Sequence, residues 1–161
     1  MNKWKQNTAF LSLVFGFDAL LIDRAHKYFQ LNMQGWVGGE FVPVVPFLDY
    51  VLVWNRGVSY GFLSGLPQPV IFIVIGMAFA LLSWWWVIAN TFITRLGLAL
   101  ALGGALSNII DRWLYGAVAD FFHLHLGDKS FFVFNIADAA ITLGACLLIL
   151  DMLLQQKEID A

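Results

Sequence analysis

Charge is scarce in this chain. Its 161 residues include 9 Lys+Arg and 11 Asp+Glu, so 12% are charged, about half the roughly 25% usual in a soluble domain. No block of lysine or arginine occurs and the net charge is −2, which argues against nucleic acid as a partner. Cysteine is scarcer still. Cys146 stands alone, so an intramolecular disulfide and a cysteine-based zinc site are both excluded. Internal repeats and low-complexity segments are absent. The length leaves room for one membrane domain, residues 1–161, and no second soluble one.

Apolar residues fill the chain instead. They make up 60% of it, with 15 Phe and 7 Trp, and the mean hydropathy is +0.76. Four stretches, about 8–22, 70–90, 94–110 and 132–154, approach the roughly 20 residues that cross a bilayer. The third holds "LGLALALGGALS", whose small residues suit close helix packing in lipid. The N-terminus resembles a signal peptide, with Lys3 and Lys5 ahead of an apolar run. Asp18 interrupts that run and no small-x-small cleavage site follows, so a retained first helix is the better reading.

Two connections, about 25–69 and 112–131, are long. In "FLDYVLVWN", residues 47–55, two sets of side chains alternate, and "DFFHLHLGDKSFFVF" has strand character around Gly127-Asp128. The expected fold class is therefore membrane, mainly α: four transmembrane helices with a small β-rich cradle on the outer membrane surface. Four spans put both termini on one side. Lys3, Lys5, Arg95 and Lys157 fall there, against Lys27, Arg56, Arg112 and Lys129 on the other. The weight of the first helix places the termini in the cytoplasm.

On this topology the unusual polar residues share one depth. Asp23 and Lys27 end the first helix, Asn55 lies in the first long connection, and Asn108, Asp111 and Arg112 end the third helix. Asp120 follows, and Asn135 and Asp138 open the fourth. Ionisable residues at membrane depth usually face the bundle interior and mark function. Asp23 and Lys27 are four apart and can pair on one helix face. Asp111 with Arg112 can orient a loop exit, and Asn108 and Asn135 can satisfy backbone groups at helix ends. Asp120 and Asp138 lack any basic neighbour in sequence and sit among apolar residues, which favours function over structure.

Two carboxylates in a partly dry site share a proton. The ionised one can take a proton from water, while the protonated one polarises a carbonyl and later protonates the leaving amine. Peptide hydrolysis needs both tasks. Ser130 beside Lys129 makes a poor dyad, because strand neighbours point to opposite faces. His123 and His125 share a strand face and with Asp120 or Asp138 could bind a metal. The plainer reading is a wet strand face. Asp18 has no ready explanation.

At these residues the chain resembles the lipoprotein signal peptidase, or signal peptidase II, family. "DRAHK" at Asp23–Lys27 is similar to its D-x-x-x-K, and "NRG" at Asn55–Gly57 to its N-x-G. "GGALSNIIDR" at Gly103–Arg112 resembles G-G-x-x-x-N-x-x-D-R, "GAVADF" matches G-x-V-x-D-F, and "FNIAD" matches F-N-x-A-D. Ser107 stands where glycine is usual, and "VSYGF" at residues 58–62 where an Ala-Ala-Phe-like run is common. The resemblance implies an intramembrane aspartyl endopeptidase of the bacterial inner membrane, with its active site at the outer interface. It would cut diacylglyceryl-modified prolipoproteins just before the lipidated cysteine. Asp120 and Asp138 would be catalytic. Asn108, Arg112 and Asn135 would shape the site, and Asn55, with Gly57 in its motif, would contact substrate backbone. Asp23, Lys27 and Asp111 would support them. The expected partners are these substrates and the bilayer, for a monomer that uses no metal and no cofactor. The rival readings are a small polytopic transporter, a non-catalytic membrane assembly factor and a metal-dependent hydrolase.

Overall fold

The computed structural model describes residues 3–57 and 68–159. The stretch at residues 58–62, and with it part of the first long connection, lies outside the described residues. Helix α1 spans Lys3–Tyr28 and runs into a π-helical turn at Phe29–Met33. Strands β1 (Phe41–Val45) and β2 (Leu48–Asn55) follow. Helices α2 (Gln68–Ile88) and α3 (Phe92–Tyr115) come next, then β3 (Val118–Leu126), β4 (Lys129–Phe134) and α4 (Ile136–Ile159).

Helix α3 is the central element, and α1, α2 and α4 all pack on it. Small residues allow this. A Cβ on Gly103 would lie 2.0 Å from the Gly16 carbonyl oxygen, and one on Gly144 would lie 2.4 Å from that of Gly97. These are backbone-to-backbone approaches, so α1–α3 and α3–α4 cross where no larger side chain fits. The Thr91 hydroxyl caps α3 by accepting from the Thr94 amide at 3.0 Å. Gly116, at φ 71°, ends it in the left-handed conformation that glycine adopts without strain.

The helices bare their apolar faces. Phe10, Phe17, Ile73, Leu81, Trp84 and Met152 are each more than half exposed, more apolar surface than a soluble monomer leaves in water. Among the described residues, three helices are long and apolar enough to cross a membrane: Pro69–Ile88, Phe92–Tyr115 and Ile136–Lys157. Helix α1 has the length, 26 residues, but its charged residues lower its hydropathy.

All four strands form one antiparallel sheet in the order β1-β2-β3-β4. The two long connections therefore share a sheet, with Asn55 opposite Val118 and Val53 opposite Asp120. Helix α1 continues past the apolar run that ends at residue 22 and α3 past the one that ends at 110, so Asp23, Lys27, Asp111 and Arg112 are all helical. Helix α4 starts at Ile136, not at 132, because residues 132–134 pair with Phe122, His123 and Leu124. An apolar run alone does not mark where strand gives way to helix.

Candidate active site

Asn135 organises the centre. It precedes α4 and makes a reciprocal cap with Asp138. Asn135 Oδ1 accepts from the Asp138 amide at 2.8 Å, and Asp138 Oδ2 accepts from the Asn135 amide at 3.2 Å. The spacing Asn-x-x-Asp thus works as a capping box. The same Asn135 side chain donates through Nδ2 to Asp120 Oδ1 at 2.7 Å, so one amide links both acids. Asp120 is 1% exposed on β3. Its other oxygen accepts from Asn55 Nδ2 at 3.0 Å. Asp138 Oδ1 accepts from Asn108 Nδ2 at 2.8 Å. Neither carboxylate has a lysine, arginine or histidine within ion-pair distance among the described residues. Burial, and then the nearby charge of Asp138, push the Asp120 carboxyl up to about 7.

A second shell of buried charge holds the two acids' neighbours. Lys27 Nζ donates to Asp23 Oδ2 and Asp111 Oδ2, both at 2.7 Å, and to Asn108 Oδ1 at 3.1 Å. The i,i+4 pairing expected of Asp23 and Lys27 is present. Asp111 does not pair with Arg112, as the sequence had suggested. It pairs with Lys27 and with Arg24. Two anions and two cations balance inside the bundle. Asp23 Oδ1 accepts from the Ala137 amide at 2.9 Å, and Asp111 Oδ2 from the Ala119 amide at 3.2 Å. Each supporting acid therefore grips the residue just before one of the central acids.

Arg112 Nη2 donates to the Gly57 carbonyl at 2.5 Å, which pins the loop after β2. Its Nε and Nη1 are buried without a hydrogen-bond partner among the described residues. Gly57 serves through its backbone at ordinary φ. Its amide also donates to Asn55 Oδ1 at 3.0 Å. Asn55, expected to contact substrate backbone, donates its amide to Asp120 in this structure.

The sequence gives Arg24 no role and marks Ser107 only as a departure from the family's glycine. The Ser107 hydroxyl donates to Asp23 Oδ2 at 2.6 Å. Their place in motif segments was the available signal. His123 and His125 lie on the strand face opposite to Asp120 by the two-residue period. They gather round Asp49 Oδ2, at 3.2 Å from His123 Nδ1 and 3.1 Å from His125 Nε2, while His123 Nε2 meets Ser130 Oγ at 2.8 Å. His26 Nε2 meets the Tyr50 hydroxyl at 2.5 Å and joins α1 to the sheet. Asp18 is exposed on α1 and belongs to none of these networks.

The arrangement offers two carboxyl groups linked through Asn135, the Asp120 group pushed up to about 7, amides that orient them, and guanidinium N–H groups without a partner among the described residues. It suits acid–base chemistry on a carbonyl. The comparisons give the family. The sequence profile described as "Signal peptidase (SPase) II" matches residues 15–154. The chain is 44% identical over 156 residues to a lipoprotein signal peptidase of Methylorubrum extorquens (strain PA1), covering 91% of this chain and 88% of that protein. It is 37% identical over 160 residues to one of Aquifex aeolicus (strain VF5), covering 93% and 90%. A solved structure of a bacterial membrane enzyme superposes with a TM-score of 0.81 at 28% identity, covering 92% of this chain and 90% of that one. A profile match over most of its length, and relatives of this identity, place the chain in the signal peptidase II family of membrane proteases.

Proposed function

We propose that this protein is an aspartyl endopeptidase that removes the signal peptide from diacylglyceryl-modified prolipoproteins, cutting just before the lipidated cysteine. The observation that carries the reading is the pair Asp120, buried, and Asp138, half-buried, without ion pairs among the described residues and joined through one asparagine. The names of the relatives, lipoprotein signal peptidases, support the substrate class.

The chemistry follows from one shared proton. The ionised carboxylate removes a proton from water as it attacks the scissile carbonyl. The protonated partner donates to that carbonyl oxygen, and the leaving amine is then protonated by the pair. Asn55, Asn108 and Asn135 hold the two groups in register. Nε and Nη1 of Arg112, without partners among the described residues, can donate to a substrate carbonyl. The β-sheet serves as the cradle beside the scissile segment.

In this reading the protein is a monomer in the bacterial inner membrane. Helix α1 is the fourth span, both termini are cytoplasmic and the dyad lies at the outer interface. Asp120→Asn and Asp138→Asn should each leave a folded, membrane-inserted protein whose cleavage of a lipidated precursor falls by several orders of magnitude. Near-normal turnover by either variant would remove the dyad. Reporters fused after Ala161 and near Gly38–Gly39 should report opposite sides of the membrane.

A further inference from the structure

Helices α2 and α4 both pack on α3. At the end of the bundle away from the dyad they part around a cavity of about 530 Å³. Trp85 from α2 and Leu148 and Met152 from α4 form apolar walls, and Thr91, Asp151 and Gln155 supply the polar lining. Asp151 is 4% exposed. One of its oxygens accepts from Thr91 Oγ1 at 2.6 Å, from Gln155 Nε2 at 2.7 Å and from the Thr94 hydroxyl. All three donors are neutral, and the carboxylate makes no ion pair among the described residues. A buried anion held by neutral groups alone is costly unless a cation joins it. The peptide chemistry at the other end of the bundle gives this anion no task.

The peptidase reading, on which this inference rests, supplies a cation. A secretory signal peptide carries a positively charged n-region ahead of an apolar segment of about 7–15 residues. Asp151 lies 13 positions after Asp138 on α4, about 20 Å along the axis at roughly 1.5 Å per residue. A helical signal peptide with its scissile bond at the dyad reaches that level about 13 residues upstream, where its apolar segment gives way to the n-region. We propose that the cavity receives the cationic n-region of the precursor. A lysine or arginine side chain enters along the Trp85 and Met152 wall and sets its charge against Asp151. The Gln155 carboxamide oxygen accepts from it, and the indole of Trp85 offers a face that attracts cations. The protein thereby reads its substrate at both ends of the span.

The test uses the full-length protein in neutral detergent–lipid micelles and two lipidated precursors that differ only in the n-region, Lys/Arg or Gln at the same positions. With the unaltered protein, KM should be about tenfold higher for the neutral precursor and kcat similar for the two, the scale of one partly buried charge pair. Asp151→Asn should raise KM for the charged precursor to the value for the neutral one. Gln155→Arg, a change at an exposed position, should reverse the preference, and it keeps the test open should Asp151→Asn fail to fold. Equal KM for both precursors with the unaltered protein would overturn the assignment and leave the cavity to a membrane lipid. So would a preference that survives in Asp151→Asn or in Gln155→Arg. If the unaltered protein cleaves neither precursor, the peptidase reading itself fails, and this inference with it.

Discussion

Replacing Asn55 by alanine should move the pH dependence of cleavage, and its direction follows from one hydrogen bond. Asn55 Nδ2 donates to Asp120 Oδ2 at 3.0 Å. A donor favours the ionised form of a carboxyl, so this contact opposes the burial and the Asp138 charge that together push Asp120 up to about 7. Its loss should push the group further up. A hydrogen bond to a charged group is worth about 1.5–3 kcal/mol, and each pKa unit corresponds to about 1.4 kcal/mol. Asn55 is half-buried at the end of β2, so water replaces part of the bond and a shift of about one unit is expected. The dyad titrates as a unit. Activity is lost on the alkaline side when the shared proton leaves, so that limb should move up by roughly one unit. The acid that has lost its guide should also turn over about tenfold more slowly. The assay is kcat/KM and kcat against pH for a lipidated fluorogenic peptide, with the unaltered protein and Asn55→Ala. An alkaline limb that stays in place or moves down would refute the reasoning. A change confined to KM would return Asn55 to the role of a substrate contact, as its motif first suggested.

Other outcomes follow from the packing and the buried charges. Lys27→Met leaves Asp23 and Asp111 with Arg24 as the one ion-pair partner remaining among the described residues, and should cost about 3–5 kcal/mol of stability; a melting temperature equal to that of the unaltered protein would contradict the network. Gly103→Ala places a Cβ 2.0 Å from the Gly16 carbonyl, so α1 must shift off α3 at a cost of about 1–3 kcal/mol or more, read as a lower melting temperature in detergent; Gly76→Ala, where nothing lies within 4 Å, should melt close to the unaltered protein. His123→Ala with His125→Ala removes partners of Asp49 on the face away from Asp120, so cleavage should persist in that variant and in EDTA; loss on chelation that zinc restores would favour a metal mechanism.

Composition and short-range pattern were enough to determine several features of this protein. Hydropathy over 18–20 residues depends only on what is adjacent, so α2, α3 and α4 could be read directly. The Asp23–Lys27 pair is four residues apart on one helix, and the small residues of α3 announce close packing wherever a partner arrives. The expectation that Asp23, Asn108, Asp111, Asn135 and Asp138 share one depth came from counting spans, and the lack of a basic neighbour in sequence marked Asp120 and Asp138 as candidates. Contacts between distant segments were not legible. The pairing of β2 with β3 depends on register, where a slip of one residue turns every side chain to the other face. Only that pairing brings Asn55 to Asp120, turns His123 and His125 toward Asp49 and closes the cradle from two separate connections. Lys27 meets Asp111, and Ser107 meets Asp23, across 84 residues of sequence in each case. Such meetings are set by where helices cross, and the crossings are set by glycines opposing backbone on another helix. The start of α4 was misplaced for a related reason, since residues 132–134 are as apolar as the helix that follows. What separates them is a strand partner and the Asn135–Asp138 cap, and of the two only the cap is written locally in the sequence.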